Sequence, residues 1–230
     1  MKRSTERILT THTGSLPRPD NLVQLMVAKE QGKPVDAVEL ADSVRNAVAD
    51  VVKHQVAVGI DIISDGEMSK IGFANYVKDR LTGFEGESNP FIAQDVLDHP
   101  DLRVRMFRRT EGSESRYFTP ACTGPITLRD KDAVHRDIAN LKAALQESQP
   151  TDVFMPAASP GTIAQVMLNN YYPTQEAYLY ASRTPCATNT KPSLRQASCY
   201  SWIVQTWPCS DIFVLLMPAS MNFAGRCSKT

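Results

Sequence analysis

Residues 59–70 read GIDIISDGEMSK. The run IDIIS, residues 60–64, is short and apolar, as a buried strand requires. The polar DGEMSK after it ends the strand in a loop. The segment before it, DAVELADSVRNAVADVVKHQVAVG (36–59), has a different period. There Val38, Ala41, Val44, Val48, Val51, Val52, Val56 and Val58 fall largely on one helical stripe, with Asp42, Arg45, Asp50 and Lys53 elsewhere. Gly59 suits the C-terminal cap of that helix. A long amphipathic helix, a glycine, a buried strand and a polar loop make one unit of an alternating α/β protein.

The same alternation recurs on either side. RILTTHTGSL (7–16) reads as a strand ending in a loop, and the prolines of LPRP turn the chain away from it. FANYVKDRLTGF (73–84) reads as a helix closed by Gly83. Residues 84–115 are irregular and charged, with a hairpin-like excursion around LRVRMFRR. YFTPACTGPITL (117–128) reads as a strand entering a loop, and KDAVHRDIANLKAALQES (131–148) as an amphipathic helix. TDVFMPAAS (151–159) is a strand. PGTIAQVMLNN (160–170) opens a helix with Ser159 as N-cap and Pro160 at its first position, and TQEAYLYA (174–181) opens another. Four strand–loop–helix repeats imply a parallel sheet with helices outside it. Open doubly wound sheets and closed (β/α)8 barrels share this pattern. No GxGxxG or P-loop follows a strand, so nucleotide binding has no support. A barrel needs about 250 residues, and four units are half of one.

Composition narrows the function. The 230 residues carry 25 basic and 25 acidic side chains, which argues against a nucleic-acid or membrane-surface partner. The start, MKRSTERILTT, has no apolar core of a secretory signal, and no run approaches the roughly 20 residues of a membrane span. A soluble, cytoplasmic protein is expected. Composition breaks near residue 181. The segment 182–230 carries five basic residues, Asp211 as its one acid, both tryptophans, and four of the five cysteines: Cys186, Cys199, Cys209 and Cys227. It shows no sustained period and no CxxC pairing. Residues 1–181 therefore read as the ordered domain, and 182–230 as an irregular, poorly ordered tail. The tail has the composition of a shifted reading frame or retained intron, the alternative being a genuine extension.

In parallel α/β proteins chemistry sits at the carboxyl ends of strands. Here those ends carry His12, Thr13, Gly14 and Ser15; then Asp65, Gly66 and Glu67; then Cys122, Thr123, Gly124 and Pro125; then Ser159, Pro160 and Gly161. Each cluster is small or polar and has a glycine, as close backbone approach to a ligand requires. Structural readings stand beside these. His12 could hydrogen-bond a neighbouring loop, Glu67 could complement a helix dipole, Cys122 could be a small buried hydrophobe, and Ser159 could be only a cap. His54 and His135 lie on helices and His99 in the excursion. No HxxxH, HxC or GxSxG occurs.

The stretches TTHTGSLPRP (10–19), GIDIISDGEMSK (59–70), TGPITL (123–128) and PAASPGTIAQVMLNNYYPTQEAYLYA (156–181) together resemble the cobalamin-independent methionine synthase family. They are more similar still to its single-domain, catalytic-half relatives. The resemblance implies a (β/α)8 TIM barrel of the UROD and methionine synthase type. It implies zinc-dependent methyl transfer from a 5-methyltetrahydrofolate to a thiol, typically homocysteine, without cobalamin. Zinc would favour the thiolate. His12, Thr13, Gly14 and Ser15, with Asp65 and Glu67, would hold the amino-acid end of the thiol substrate, Glu67 through its ammonium. Cys122, Thr123, Gly124 and Pro125 would lie near the methyl donor. The family's zinc ligands, a His-x-Cys pair, a glutamate and a second cysteine, come from later strands, and this chain leaves the pattern near Ala181 before any of them. The expectation is the N-terminal half of a barrel, lacking the metal ligands and open to self-association through its exposed sheet edges. Related barrels acting on another thiol, as epoxyalkane–coenzyme M transferases do, a lyase using Asp65 or Glu67, and a non-catalytic fragment are the alternatives.

Overall fold

Strand β1, Ile62–Ser64, is buried at every residue and has a partner on each edge. The computed structural model describes residues 4–73, 75–86, 97–101, 119–196, 203–206 and 212–215. In chain order its elements are α1 (Asp20–Glu30), α2 (Ala37–Ala57), β1, α3 (Val77–Arg80), β2 (Phe84–Glu85), β3 (Ala121–Cys122), α4 (Ala133–Leu145), β4 (Asp152–Phe154), α5 (Pro160–Val166), α6 (Gln175–Gln196), β5 (Ile203–Thr206) and β6 (Ile212–Leu215). The hairpin-like excursion expected around LRVRMFRR lies outside the described residues.

On one edge β1 runs parallel to β4, with Ile62 opposite Asp152, Ile63 opposite Val153 and Ser64 opposite Phe154. On the other, Thr11 makes a parallel bridge to Ile62. The Ile62 amide donates to the Thr10 carbonyl at 3.0 Å, and Thr11 Oγ1 donates to the Ile62 carbonyl at 2.7 Å. Two residues on, the first segment has turned away, yet Ser64 presents its amide and carbonyl to the same side. Gln55 of α2 replaces the missing strand. Its Oε1 accepts from the Ser64 amide at 3.1 Å, and its Nε2 donates to the Ser64 carbonyl at 2.9 Å. A buried strand cannot leave these groups unpaired without losing about 1–3 kcal/mol for each, which explains a glutamine 1% exposed on the apolar face of a helix.

Helix α2 begins at Asp36, whose carboxylate accepts from the Val38 amide at 2.8 Å. It ends in a Schellman motif. Gly59, at φ +81°, donates to Val56, and the Ile60 amide donates to Gln55 at 3.0 Å. Helices α2 and α4 pack on the sheet through Val48, Val52, Ile138 and Leu141 against Ile63 and Val153. Val52 and Ile63 are fully buried, each stabilising the fold by about 1.5–3 kcal/mol. Val38 and Val58 of the expected stripe are instead exposed. A 21-residue helix spans about 31 Å and a three-residue strand about 10 Å, so both helix ends overhang the sheet.

Three expectations are corrected. The segment ending in Cys122 does not join the parallel sheet: β3 pairs antiparallel with β2, Cys122 opposite Phe84, and bridges Asn169. The helix read over 73–84 is the single turn α3, because Leu81 leaves it to bridge Leu128. The segment from residue 182 is not irregular at its start: α6 runs through the compositional break to Gln196, and β5 and β6 pair antiparallel. Tyr178, Ser182 and Cys186, four residues apart, are all buried on one face of α6, so apolar packing carries the helix across Ala181. Helix α1 goes unread in the sequence; only Leu22 and Met26 of its eleven residues are buried. The described residues form an α/β fold with parallel β1 and β4 and no closed barrel.

The first segment is tied down by Asp61. Arg7 pairs with its carboxylate, Nη1 lying 2.8 Å from Oδ2, and the Thr10 amide donates to the same oxygen at 2.8 Å. Arg7 and then Thr10 hold this carboxyl well below the usual carboxylate range, against its partial desolvation. A depressed folded pKa contributes stability that is complete above the unfolded value, about 3.9, and is lost as pH falls towards the folded one. Asp61→Asn is therefore expected to lower the unfolding midpoint at pH 7 and to flatten its decline below about pH 4, as followed by thermal denaturation across pH.

Candidate functional site

Beyond β1 the chain makes two successive left-handed residues, Gly66 at φ +61° and Glu67 at φ +59°. Gly66 is required twice over. Its φ disfavours a side chain, and a Cβ would lie 3.0 Å from Met68 Cε and 3.2 Å from Val51. Glu67 has no such licence, and a left-handed non-glycine residue costs about 1–2 kcal/mol. Its surroundings hold it there. The Glu67 amide donates to Asp65 Oδ1 at 3.1 Å. Its carbonyl accepts from Arg18 Nη2 at 2.9 Å and from the Lys70 amide at 3.0 Å. Its Oε2 accepts from Ser15 Oγ at 2.6 Å.

The loop after the first segment and the loop after β1 are thereby interlocked. Besides the Ser15 and Arg18 bonds, the Leu16 amide donates to Gly66 at 3.1 Å, and Arg18 Nη2 also reaches the Lys70 carbonyl at 2.5 Å. Glu67 is 2% exposed, and among the described residues no cation pairs with its carboxyl. Gly14, at φ +102°, would meet nothing within 4 Å with a Cβ, so its backbone is open to approach. Ser15 and Thr13 are exposed. His12 Nε2 is buried with no hydrogen-bond partner among the described residues, as are Arg18 Nε and Ser69 Oγ. All three orphaned atoms belong to these two loops, as expected of a surface built to meet something else.

Asp65 faces inward. Its Oδ2 lies 3.1 Å from Lys70 Nζ, both side chains nearly fully buried. Behind the pair, Arg80 stacks 4.6 Å from the centre of the Tyr76 ring and bonds Asp137 of α4 at 2.5 Å. The Ala158 amide donates to Tyr76 Oη at 3.0 Å, joining this cluster to the chain after β4. Arg18, Ser69 and Lys70 do not stand out in the sequence. Proline on both sides of Arg18, which fixes the backbone that aims it, is the signal that could have marked the first of them.

Of the expected residues, Ser15 meets Glu67 directly, which joins the loop carrying His12 to Ser15 to the loop carrying Asp65 to Glu67. Cys122 to Pro125 belong to the other small sheet. Cys122 is fully buried, its Sγ 3.6 Å from the Gly124 carbonyl, and burial pushes its thiol up, the reverse of an activated nucleophile. Thr123 and Pro125 are exposed. Gly124 sits against Gly83, where a Cβ would come 2.5 Å from the Gly124 carbonyl oxygen. Ser159 accepts from the Thr162 amide at 3.2 Å as the cap of α5. Among the described residues no group of three or more His, Cys, Asp or Glu could hold a metal ion, and no helix is long and apolar enough to cross a membrane.

The model of the cobalamin-independent synthase catalytic domain matches residues 8–149, and the chain belongs to that family. A methionine synthase of Sulfolobus acidocaldarius is 28% identical over 166 residues, 72% of this chain and 42% of that protein. A 5-methyltetrahydropteroyltriglutamate–homocysteine methyltransferase of Ralstonia pickettii is 25% identical over 150 residues, 60% of this chain and 19% of that one. The chain thus spans less than half the length of either. Among solved structures, a B12-independent methionine synthase of a Shewanella species, in complex with selenomethionine, superposes with a TM-score of 0.51 at 22% identity, covering 75% of this chain and 44% of that one. The fold is of that α/β kind.

The strain at Glu67 has a measurable consequence. Glu67→Gly frees the left-handed backbone and removes a buried carboxyl, at the expense of the Ser15 hydrogen bond. It is expected to leave stability unchanged or raise it by up to about 1 kcal/mol, whereas Gly66→Ala is expected to cost about 1–2 kcal/mol. Urea denaturation of the two variants checks the contrast.

Proposed function

We propose that this chain carries the amino-acid-gripping corner of a cobalamin-independent methyl-transfer site, with homocysteine or a closely related thiol as acceptor and a 5-methyltetrahydrofolate as donor. One observation carries the reading: Glu67 is a buried carboxyl with a single side-chain partner, Ser15, and no cation among the described residues. A carboxylate buried without a counter-charge is costly, so the position favours a ligand that brings a cation. The α-ammonium of an amino acid supplies it. The open backbone at Gly14 and Ser15 offers hydrogen bonds to the other polar end of the same ligand, and His12 offers an unpartnered ring nitrogen beside them. Family membership supports the same conclusion, as do relatives named methionine synthase and homocysteine methyltransferase and a related structure described with selenomethionine, whose backbone is that of the product amino acid.

In the reaction the acceptor sulfur forms its bond to the methyl carbon as the carbon–N5 bond of the folate breaks. The thiol proton is lost, and N5 of the folate gains one. A thiol of pKa about 8.5 is mostly protonated at neutral pH, so thiolate formation must be assisted. Zinc is the group the family resemblance implies for that task. The described residues do not assemble a donor set for it: Cys122 is enclosed in apolar surroundings, Asp65 is committed to Lys70, and Glu67 is held by Ser15. The part of these residues is to bind and orient the amino-acid end.

The same proposal makes residues 1–181 the first strands and helices of a (β/α)8 barrel, with 182–230 as a divergent tail. Residues 122–125 would face the methyl donor, a role that rests on the family resemblance. Among the described residues the parallel sheet stops at β4, and an open edge is a template for pairing, so self-association belongs to this reading.

Calorimetric titration of the 230-residue chain with L-methionine and L-homocysteine tests it. Both are expected to bind, and Glu67→Gln is expected to weaken them about 10- to 100-fold, the worth of a charge-assisted hydrogen bond. Unchanged affinity in Glu67→Gln, or no binding by the wild-type chain, overturns the reading.

A further inference from the structure

Lys70 closes the turn that carries Glu67 and is 1% exposed. Its Nζ lies 3.1 Å from Asp65 Oδ2, while the other oxygen of that carboxylate accepts the Glu67 amide at 3.1 Å. One carboxylate thus joins the charge of Lys70 to the backbone of Glu67. The backbone of Lys70 completes the loop: its amide donates to the Glu67 carbonyl, and its own carbonyl accepts from Arg18. The groups facing its ammonium are Asp65 from the same turn, Tyr76 and Arg80 from the α3 region, and Asp137 from α4, with the Tyr76 ring centre 5.8 Å from Nζ. Burial opposes the charge on Lys70, but Asp65 and Asp137 outweigh it, so its pKa lies above the ordinary lysine value and it is a cation at neutral pH.

We infer that Lys70 is a positioning residue for Glu67: by neutralising Asp65 inside the fold, it holds the 65–70 turn in the left-handed form that keeps the Glu67 carboxyl on Ser15 and available to a ligand's ammonium. The inference rests on the reading of Glu67 given above. A lysine that only filled space would be replaceable by methionine. Here Lys70→Met leaves Asp65 as an uncompensated buried charge one hydrogen bond from Glu67. That charge loosens the turn.

The test titrates L-methionine into the wild-type chain, Lys70→Met, Lys70→Arg and the neutral pair Asp65→Asn with Lys70→Met. Lys70→Met is expected to weaken binding about 10-fold or more. Lys70→Arg is expected to restore it. The double variant, which keeps the fold if the single one does not, is expected to stay weaker than the wild-type chain. Wild-type affinity in Lys70→Met or in the double variant, or no rescue by arginine, overturns the inference. Amide hydrogen exchange on the same variants separates it from the reading it rests on. If the wild-type chain binds no L-methionine, the proposed function falls, and exchange alone decides. Protection lost selectively at Glu67 and Lys70 in Lys70→Met, or in the double variant where the single one does not fold, and regained in Lys70→Arg, sustains the positioning role. Uniform loss or no loss ends it.

Discussion

A strand buried on both faces must satisfy its polar groups on both edges, and in this chain β1 meets that demand from three sources. Strand β4 supplies one edge, the Thr10 carbonyl and the Thr11 hydroxyl supply half of the other, and Gln55 supplies the rest. The Gln55 side chain at Ser64 stands in for a strand, and so lets the first segment leave the sheet where the candidate site begins. Had pairing continued in the same register, Ser64 would lie opposite Thr13, and the first segment would run on along the sheet where it now turns away towards Gly14 and Ser15. The glutamine in the helix and the serine in the mouth are two consequences of one departure.

The second constraint is charge. Behind the mouth, Asp65, Lys70, Arg80 and Asp137 form two buried ion pairs around the Tyr76 ring. Well-packed apolar residues could stabilise such a region as well or better. The cluster instead fixes directions: the Arg80–Asp137 pair ties α3 to α4, the Tyr76 hydroxyl ties it to the segment after β4, and Lys70 of the β1 loop faces the Tyr76 ring. Glu67 sits at the opposite extreme, its carboxyl without a paired cation among the described residues and its backbone left-handed. Neutralised charge below and uncompensated charge above is the pattern expected where stability is given up locally for binding.

The sequence was most legible where structure is decided locally. Helix α2, its Gly59 cap, β1 and the cap of α5 at Ser159 follow from residues within one or two turns of each other. The pairing partner of β1 was not legible. The runs ending in Cys122 and in Phe154 are both short, apolar and followed by small residues, yet only the second pairs with β1. Within the site, Gly14, Ser15 and Glu67 announce themselves as a polar cluster at a strand end. Lys70 does not, because a lysine in DGEMSK reads as solvated until Asp65 is seen to turn inward beneath it. The left-handed backbone of Glu67 is equally silent: nothing in Gly-Glu-Met asks for it, and it exists through bonds from Arg18 and Ser15, about fifty residues away in sequence.

The compositional break at residue 181 falls inside helix α6, and the buried face of that helix crosses it. Tyr178, Ser182 and Cys186 form one buried stripe, with Tyr178 Oη donating to the Met167 carbonyl at 3.0 Å and Ser182 Oγ to the Tyr178 carbonyl at 3.1 Å. Burial pushes the Cys186 thiol up to about 12, so this cysteine serves as an apolar residue in the second core beside Ile163 and Met167. That core also contains Tyr76, which anchors the charge cluster behind Glu67. A physical path therefore runs from residues beyond the break, through Tyr178 and Tyr76, to the turn that holds the candidate site. The first residues of the divergent segment therefore still pack on the domain before them: Cys186 shares the apolar backing of the α3 region with Tyr178 and Tyr76.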